Sequence, residues 1–353
     1  MPIVKNGKVL YIAHPEGAYE PGVHSKYVEE DFDTGAVVLK GGVLVRLIAM
    51  SSDPYMRYRM RSPEVPMFVP VVPINTPFDN FSVGQIVRSE DATLAVGDYV
   101  AGYFPFANYS VYPDGNEHMF KHCVKVPKIP GVPLSAFVGV LGLPGKTAYT
   151  GWELYGKEKA KTSKTLFVSG GAGSVGLFLI QYVKLVDPHL KIIAAVGSAE
   201  KTELVLKAGA DVAFNYKEVN VTEELAKHGP IDIYWDNTAG PILDAALENF
   251  SFFGLIIACG AISESGNDPA AYVRHFGIIF QRCITVKGFL FRFGPEAEAA
   301  AVEFDKTIPQ LVVSGKITHL EDRFIGLKEA ERALESVHSG KNFGKAVVIV
   351  GDE

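Results

Sequence analysis

Cysteine is scarce in this chain of 353 residues: Cys123, Cys259 and Cys283 stand far apart, leave an odd thiol and form no C-x-x-C pair. Neither a disulfide framework nor a structural zinc cluster is indicated. His118 and His122 lie four apart beside Cys123. The segment reads as strand and loop rather than as a helix that would align i with i+4, so no metal is expected there. Long basic runs are missing as well, and the formal charge is −6, which removes the electrostatic support for nucleic-acid or anionic-membrane binding. No window approaches a membrane span, and the opening Met1-Pro2-Ile3-Val4-Lys5 lacks the apolar core of a signal peptide. A cytoplasmic protein is the expectation.

What the chain does contain is 48% hydrophobic and 21% charged residues, the composition of an ordinary globular protein. Its length suits two domains. Up to about residue 130 the apolar runs are short and punctuated by Gly and Pro, at 37–39, 43–49, 84–87, 99–103, 109–111 and 123–126. That pattern predicts a compact β domain of barrel type. From about residue 133 apolar strands alternate with helices: strands at 165–169, 191–196, 212–214, 231–235, 254–259 and 285–291, helices at 200–208, 222–227 and 242–249. Such alternation predicts a parallel sheet covered on both faces. Two further helices, 295–314 and 328–338, lead to a last strand at 346–350 that is expected to return to the first domain. The expected division is therefore 1–132 with 316–353, interrupted by a doubly wound Rossmann domain at 133–315.

The strand at 165–169 runs into Gly171-Ala172-Gly173-Ser174-Val175-Gly176 and then into an apolar helix and a second strand. This is the G-x-G-x-x-G fingerprint in its βαβ setting, which predicts a dinucleotide pyrophosphate on the helix N-terminus and hence a redox enzyme. The first glycine is expected to allow the tight turn, the second to admit the phosphate, and the third to let the helix press on the sheet. The second strand ends Val196-Gly197-Ser198, with no carboxylate at the tip to take ribose hydroxyls. A small hydroxyl with a nearby cation, Ser198 and Lys201, suits a 2′-phosphate and favours NADP(H) over NAD(H). The alternative is that Glu200 and Lys201 merely begin the next helix in solvent.

Other motifs follow in order: Ser52-Asp53-Pro54-Tyr55-Met56-Arg57, Leu141-Gly142-Leu143-Pro144-Gly145-Lys146-Thr147-Ala148-Tyr149, Phe214-Asn215-Tyr216-Lys217, Trp235-Asp236-Asn237, Cys259-Gly260-Ala261-Ile262-Ser263, Gly288-Phe289 and Gly340-Lys341-Asn342-Phe343-Gly344-Lys345. The ordered set resembles the medium-chain dehydrogenase/reductase superfamily. Within it, the set resembles the zinc-independent leukotriene B4 12-hydroxydehydrogenase, prostaglandin reductase and plant double-bond reductase family. The resemblance covers nearly the whole chain. It implies a mainly β, GroES-like barrel domain carrying the inserted Rossmann domain, NADP(H) as cofactor and a homodimer. It also implies that Lys201 and Tyr216 join Ser198 at the 2′-phosphate, that Thr147 and Asn237 line the cofactor, and that Cys259, Gly260, Ala261, Ile262 and Ser263 lie beside its nicotinamide half. Phe289 and Leu290 would sit near the carboxamide, and Asn342 and Gly344 would reach the cofactor from the returning tail.

The zinc branch of that superfamily carries a G-H-E signature and a cysteine-rich loop, and neither is present. Alcohol oxidation then loses its usual Lewis acid. Reduction of a conjugated carbon–carbon double bond has no such need, because hydrogen bonds can hold the developing enolate. The expected reaction delivers hydride from NADPH to the β-carbon of a small lipophilic α,β-unsaturated aldehyde or ketone, and a proton to the α-carbon. Tyr55 is the candidate substrate-facing hydroxyl, with a buried aromatic as the other reading. Met56, Phe104, Phe106, Tyr109, Phe280 and Phe291 are candidates for an apolar pocket and equally suited to packing. Family members often place a tyrosine where this chain has Phe280, which leaves Tyr55, cofactor hydroxyls or Tyr272 to hold the carbonyl. Lys146 is a second departure, in what reads as a turn. An NADPH:quinone reductase, a hydroxy-lipid dehydrogenase and a non-catalytic NADP(H)-binding protein stand as alternatives.

Overall fold

The computed structural model describes residues 3–67, 69–113, 123–263 and 272–353. His118 and His122 lie outside the described residues. Two units divide the chain: Met1–Gly142 with Glu321–Glu353, and Leu143–Leu320.

In the first unit, β1 (Ile3–Tyr11), β2 (Ser25–Asp33) and β4 (Thr76–Pro77) make a three-stranded sheet in the order β2-β1-β4. β1 and β2 escape a reading of apolar runs because β1 buries little more than one face and β2 buries only Ser25 and is rich in exposed charges. The larger sheet is built on β3 (Val43–Ser51), which is buried almost throughout. With β5 (Asp79–Ser89), β6 (Tyr99–Pro105), β8 (Cys123–Val126) and two strands from the end of the chain, β15 (Glu321–Ile325) and β16 (Lys345–Ile349), it follows the order β15-β16-β3-β5-β6-β8. β7 (Tyr109–Tyr112) pairs with β3 off that path. The tail therefore returns as β16, antiparallel to β3, with β15 parallel to β16. The short helix α1 (Met56–Arg59) follows β3 directly. A 3-10 turn at Leu134–Val138 places Leu134 and Val138 in the barrel core with Ile48, Val83 and Val347, which is why this unit runs on to Gly142.

The second unit opens with α2 (Leu143–Gly151), which passes through a π-helical turn at Trp152–Gly156 into α3 (Lys157–Ala160). Lys146 thus stands on a helix rather than in a turn, since Pro144 with its fixed φ suits a first helical turn. It pairs with Asp305 at 2.7 Å. Then come β9 (Thr165–Ser169), α4 (Ser174–Val186), β10 (Lys191–Val196), α5 (Ala199–Lys207), β11 (Val212–Asn215), α6 (Val221–His228), β12 (Ile231–Asp236), α7 (Gly240–Glu248), β13 (Phe250–Ala258), α8 (Ile278–Gln281), β14 (Thr285–Gly288) and α9 (Pro295–Val313). The six strands are parallel, in the order β11-β10-β9-β12-β13-β14. That is the doubly wound order whose ligand crevice lies outside the carboxyl ends of the central strands. β14 stops at Gly288, so Phe289 and Phe291 lie beyond the strand predicted for them. α10 (Ala330–His338) belongs to the first unit.

Candidate active site

At the end of β9 the chain turns through Gly170, whose φ of +59° a side chain would resist. The left-handed residue thus precedes the fingerprint glycine to which that turn was assigned. Gly173 caps α4 without help from any side chain, so the amides of the first turn keep donors with no intrahelical partner. At Gly176 a Cβ would lie 2.7 Å from the carbonyl oxygens of Gly170 and Gly171, and at Gly171 one would come within 3.1 Å of the Ala194 Cβ. Gly171, Ala172, Gly173, Ser174, Val175 and Gly176 therefore form a turn whose three glycines keep Cβ atoms out of the close approaches at the start of a helix, the shape a pyrophosphate requires. A dinucleotide fits these residues.

The tip of β10 lies beside this turn in the sheet. Ser198 caps α5 by accepting from the Lys201 amide at 3.3 Å. The Glu200 carboxyl lies below its usual range, held there by its own amide and the Ser198 hydroxyl. Lys201 is only 8% exposed, which is not the solvated lysine of the alternative reading. Tyr216 packs across Gly197, close to where a Cβ would stand, with the Lys217 ammonium 5.8 Å from its ring centroid. Lys217, the last residue of the Phe214-Asn215-Tyr216-Lys217 motif, adds a second cation here beside Lys201.

Asn237, polar after a buried strand, has found partners within the sheet. Its Nδ2 donates to the Ser169 carbonyl at 2.7 Å and its Oδ1 accepts from the Trp235 indole at 3.1 Å. The neighbouring Asp236 accepts from the amides of Thr238 and Ala239 and from the Tyr234 hydroxyl at 2.8–2.9 Å. Burial pushes its carboxyl up. The carbonyl of Asp236 takes the amides of Cys259 and Gly260, and that of Thr238 takes Ser263, so the segment with Ala261 and Ile262 is tied to the β12 tip. Burial raises the Cys259 thiol to about 12, which makes it a small apolar neighbour rather than a nucleophile.

The remaining predicted positions of this unit have the following surroundings. Thr147 bonds back to the Leu143 carbonyl. Phe289 packs on Trp235 and Tyr155 and fills the space left by Gly151. Leu290 is exposed, and Phe291 is buried beneath the Arg292 guanidinium. Phe280 is 75% exposed and Tyr272 is exposed as well, so neither lines an enclosed apolar pocket within its unit.

In the barrel unit, Met56, Phe104 and Phe106 are core and not pocket residues. Tyr109 stacks on Phe32. Asn342 donates to the Gly344 carbonyl at 2.9 Å, shaping the turn into β16. Tyr55 is half-buried over a polar network that no motif announced. Its hydroxyl donates to Asn80 Oδ1 and lies 3.3 Å from the Tyr103 hydroxyl. Asn80 Nδ2 donates to the Ser51 carbonyl at 2.8 Å and to Asp53 Oδ2 at 2.9 Å. Asp53 is paired through Oδ1 with Lys345 at 2.8 Å, a lysine 4% exposed that also donates to the Ser52 carbonyl. Behind Tyr103 the Arg59 guanidinium donates to its hydroxyl and pairs with Asp79 at 2.6 Å. Burial drives the Tyr55 and Tyr103 hydroxyls well above the ordinary phenol range. Both stay protonated donors.

Among the described residues, no group of three or more His, Cys, Asp or Glu side chains converges, and no helix is long and apolar enough to cross a membrane. Comparison with known proteins matches residues 174–306 to the family described as zinc-binding dehydrogenase, and residues 10–120 to the N-terminal domain of oxidoreductase. The chain is 33% identical to the dehydrogenase FUB6 of Fusarium oxysporum f. sp. lycopersici, with 99% of each chain covered. It is 34% identical to the NADP(+)-dependent 2-alkenal reductase of Nicotiana tabacum, with 88% of each covered. Among solved structures it is similar to CurA from Vibrio vulnificus in complex with NADPH, at a TM-score of 0.84 and 28% identity over 98% of this chain and 100% of that one.

Proposed function

The chain belongs to the medium-chain dehydrogenase/reductase superfamily, in its zinc-independent branch of enone-reductase type, and from that premise we propose that it reduces the carbon–carbon double bond of α,β-unsaturated aldehydes or ketones with NADPH. The observation that carries this reading is a 34% identity to a 2-alkenal reductase over most of both chains. Bound NADPH supplies the hydride for the β-carbon. The amides at the start of α4 hold its pyrophosphate, and Lys201, Tyr216 and Lys217 hold the 2′-phosphate. Asn237, Cys259, Gly260, Ala261, Ile262, Ser263, Asn342 and Gly344 are assigned to the rest of the cofactor. Tyr55 donates to the carbonyl oxygen as enolate charge develops, and it can do so because its proton is retained at any physiological pH. The α-carbon takes its proton from solvent or from a hydroxyl.

The test is NADPH consumption with a 2-alkenal, an aryl enone and a quinone. Turnover of the alkenal and enone to saturated carbonyls is expected. Turnover of the quinone alone would overturn the double-bond assignment. The enzyme is assigned to the cytoplasm and to a homodimer. β14 ends the six-stranded sheet with Val286 exposed, and Phe252 and Phe253 on β13 are exposed too, an apolar edge that a second copy would cover. Light scattering at the monomer mass would remove that assignment.

A further inference from the structure

The second unit holds a cavity of about 340 Å³ between α7, α8 and the sheet. Leu243 and Leu247 of α7, Ile256 and Ala258 of β13, and Phe276 and Ile279 at α8 form its walls, and Asp236 is the one polar residue lining it among the described residues. Phe276 and Val286 are 69% and 48% exposed, so the cavity opens to solvent on that side. Apolar walls around a single polar group are the usual make-up of a small-molecule pocket, and the volume is at the lower end of their range.

Asp236 is bonded through one oxygen. Its Oδ1 takes the Thr238 and Ala239 amides at 2.9 and 2.8 Å and the Tyr234 hydroxyl at 2.8 Å, with the Ser169 and Thr238 hydroxyls at 3.3 and 3.4 Å. Oδ2 takes no bond from any described residue, and every partner of Oδ1 is neutral. Holding amides at the start of a helix needs one acceptor, and an asparagine supplies it as well as an aspartate. The carboxylate therefore brings what capping does not require: a second oxygen and a negative charge, in a residue 2% exposed. A buried charge without a counter-ion is costly, and a cation arriving from outside offsets that cost. Burial holds the carboxyl above its ordinary range, the direction expected of a charge with no cation beside it.

We propose that this cavity binds a small amphiphilic amine, with its ammonium donating to Asp236 Oδ2 and its chain or ring against Leu243, Leu247 and Ile256. An apolar cavity of about 150 Å³ holds a benzene ring, so this one takes roughly ten non-hydrogen atoms. An alcohol of the same shape fills the space without meeting the charge, and a carboxylate adds a second charge of the same sign. The site lies within the second unit and does not depend on the reductase reading.

Isothermal titration calorimetry of the whole enzyme with 2-phenylethylamine, 2-phenylethanol and 3-phenylpropionate tests the proposal. The amine is expected to bind at least about tenfold more tightly than the alcohol, and the acid not to bind. Asp236→Asn keeps Oδ1 for the helix amides and sets an amide donor where Oδ2 stood. It should weaken the amine about tenfold or more and leave the alcohol within about threefold. Leu243→Trp, at a half-buried position of α7, fills the cavity and should remove both ligands. No amine binding, an alcohol bound as tightly as the amine, or an amine that binds Asp236→Asn undiminished overturns the proposal. Should Asp236→Asn fail to fold, the parent enzyme's preference and the Leu243→Trp variant decide: amine binding that survives Leu243→Trp lies elsewhere and overturns the proposal as well. So does amine affinity that weakens as protein concentration rises, because a second copy would then occupy the cavity.

Discussion

The turn between β9 and α4 offers a ligand its amide hydrogens and asks of its sequence mainly that Cβ atoms be absent at the crowded glycines. The phenol of Tyr55, in contrast, depends on side chains from β3, α1, β5, β6 and β16, with Asp53 and Lys345 292 residues apart. On the proposed reading one unit would recognise its ligand with backbone and the other with a wired set of side chains. The two should therefore fail differently. A change of shape should disable the first and a change of charge the second.

The largest effect is expected from charge. Lys345→Met removes the partner of a buried carboxylate and leaves Asp53 with the amide of Asn80 and the hydroxyl of Ser51. Breaking such a pair costs about 3–5 kcal/mol, to be read in chemical denaturation. Replacing Asp53 and Lys345 together with apolar residues should recover much of that loss. If the single variant is as stable as the parent, the network does not hold the barrel.

Shape comes next. In Gly176→Ala the added methyl meets backbone atoms of Gly170 and Gly171, not the yielding end of a side chain. Overpacking of this kind costs about 3 kcal/mol. NADPH affinity should fall by at least roughly tenfold, about 1.4 kcal/mol, in a fluorescence titration. Unchanged affinity would show that the turn is not the phosphate site.

This contrast also explains what could be read without coordinates. The alternation of continuous apolar strands with helices is a local signal, and it marked the parallel sheet and its order of elements. So was the run from Gly171 to Gly176, because an anion cradle made of successive amides has to be contiguous. β1 and β2 were illegible because half their residues face water. The network was illegible because hydrogen bonds between segments leave no spacing: Asp53 and Lys345 lay inside two separate motifs without any sign that they touch. Met56 and Phe106 were ambiguous for the opposite reason, since a methionine or an aromatic reads alike whether it lines a pocket or fills a core, and both are buried in the barrel core.

A charge change should matter less where the ligand, not the fold, is the partner. Lys201→Glu reverses a cation at the β10 tip while Ser198 still caps α5 through the backbone. A charge-assisted bond to phosphate is worth about 2 kcal/mol, so NADPH should weaken roughly thirtyfold relative to NADH. Equal losses for the two cofactors would remove the 2′-phosphate assignment.

The smallest effect distinguishes the two units by the sign of their response to acid. His338 on α10 sits edge-on to Tyr19 at 6.0 Å, with Arg57 and Glu335 as its charged neighbours, and burial lowers it from 6.5 to about 4. The unfolded chain takes up this proton first, so the barrel loses stability as pH falls through that interval. Discounted because the residue as a whole is only partly buried, the loss is about 1 kcal/mol. Asp236 behaves in the reverse sense: its carboxyl is raised by burial, the folded state keeps its proton longer, and its contribution declines as pH rises from the ordinary carboxylate range. Hydrogen exchange followed through this interval should therefore show protection of the β3 and β16 amides rising with pH relative to the β9 and β12 amides. His338→Gln should flatten the first trend alone. Parallel trends in both sets, surviving that substitution, would mean that the two units do not differ in how they hold their buried titratable groups.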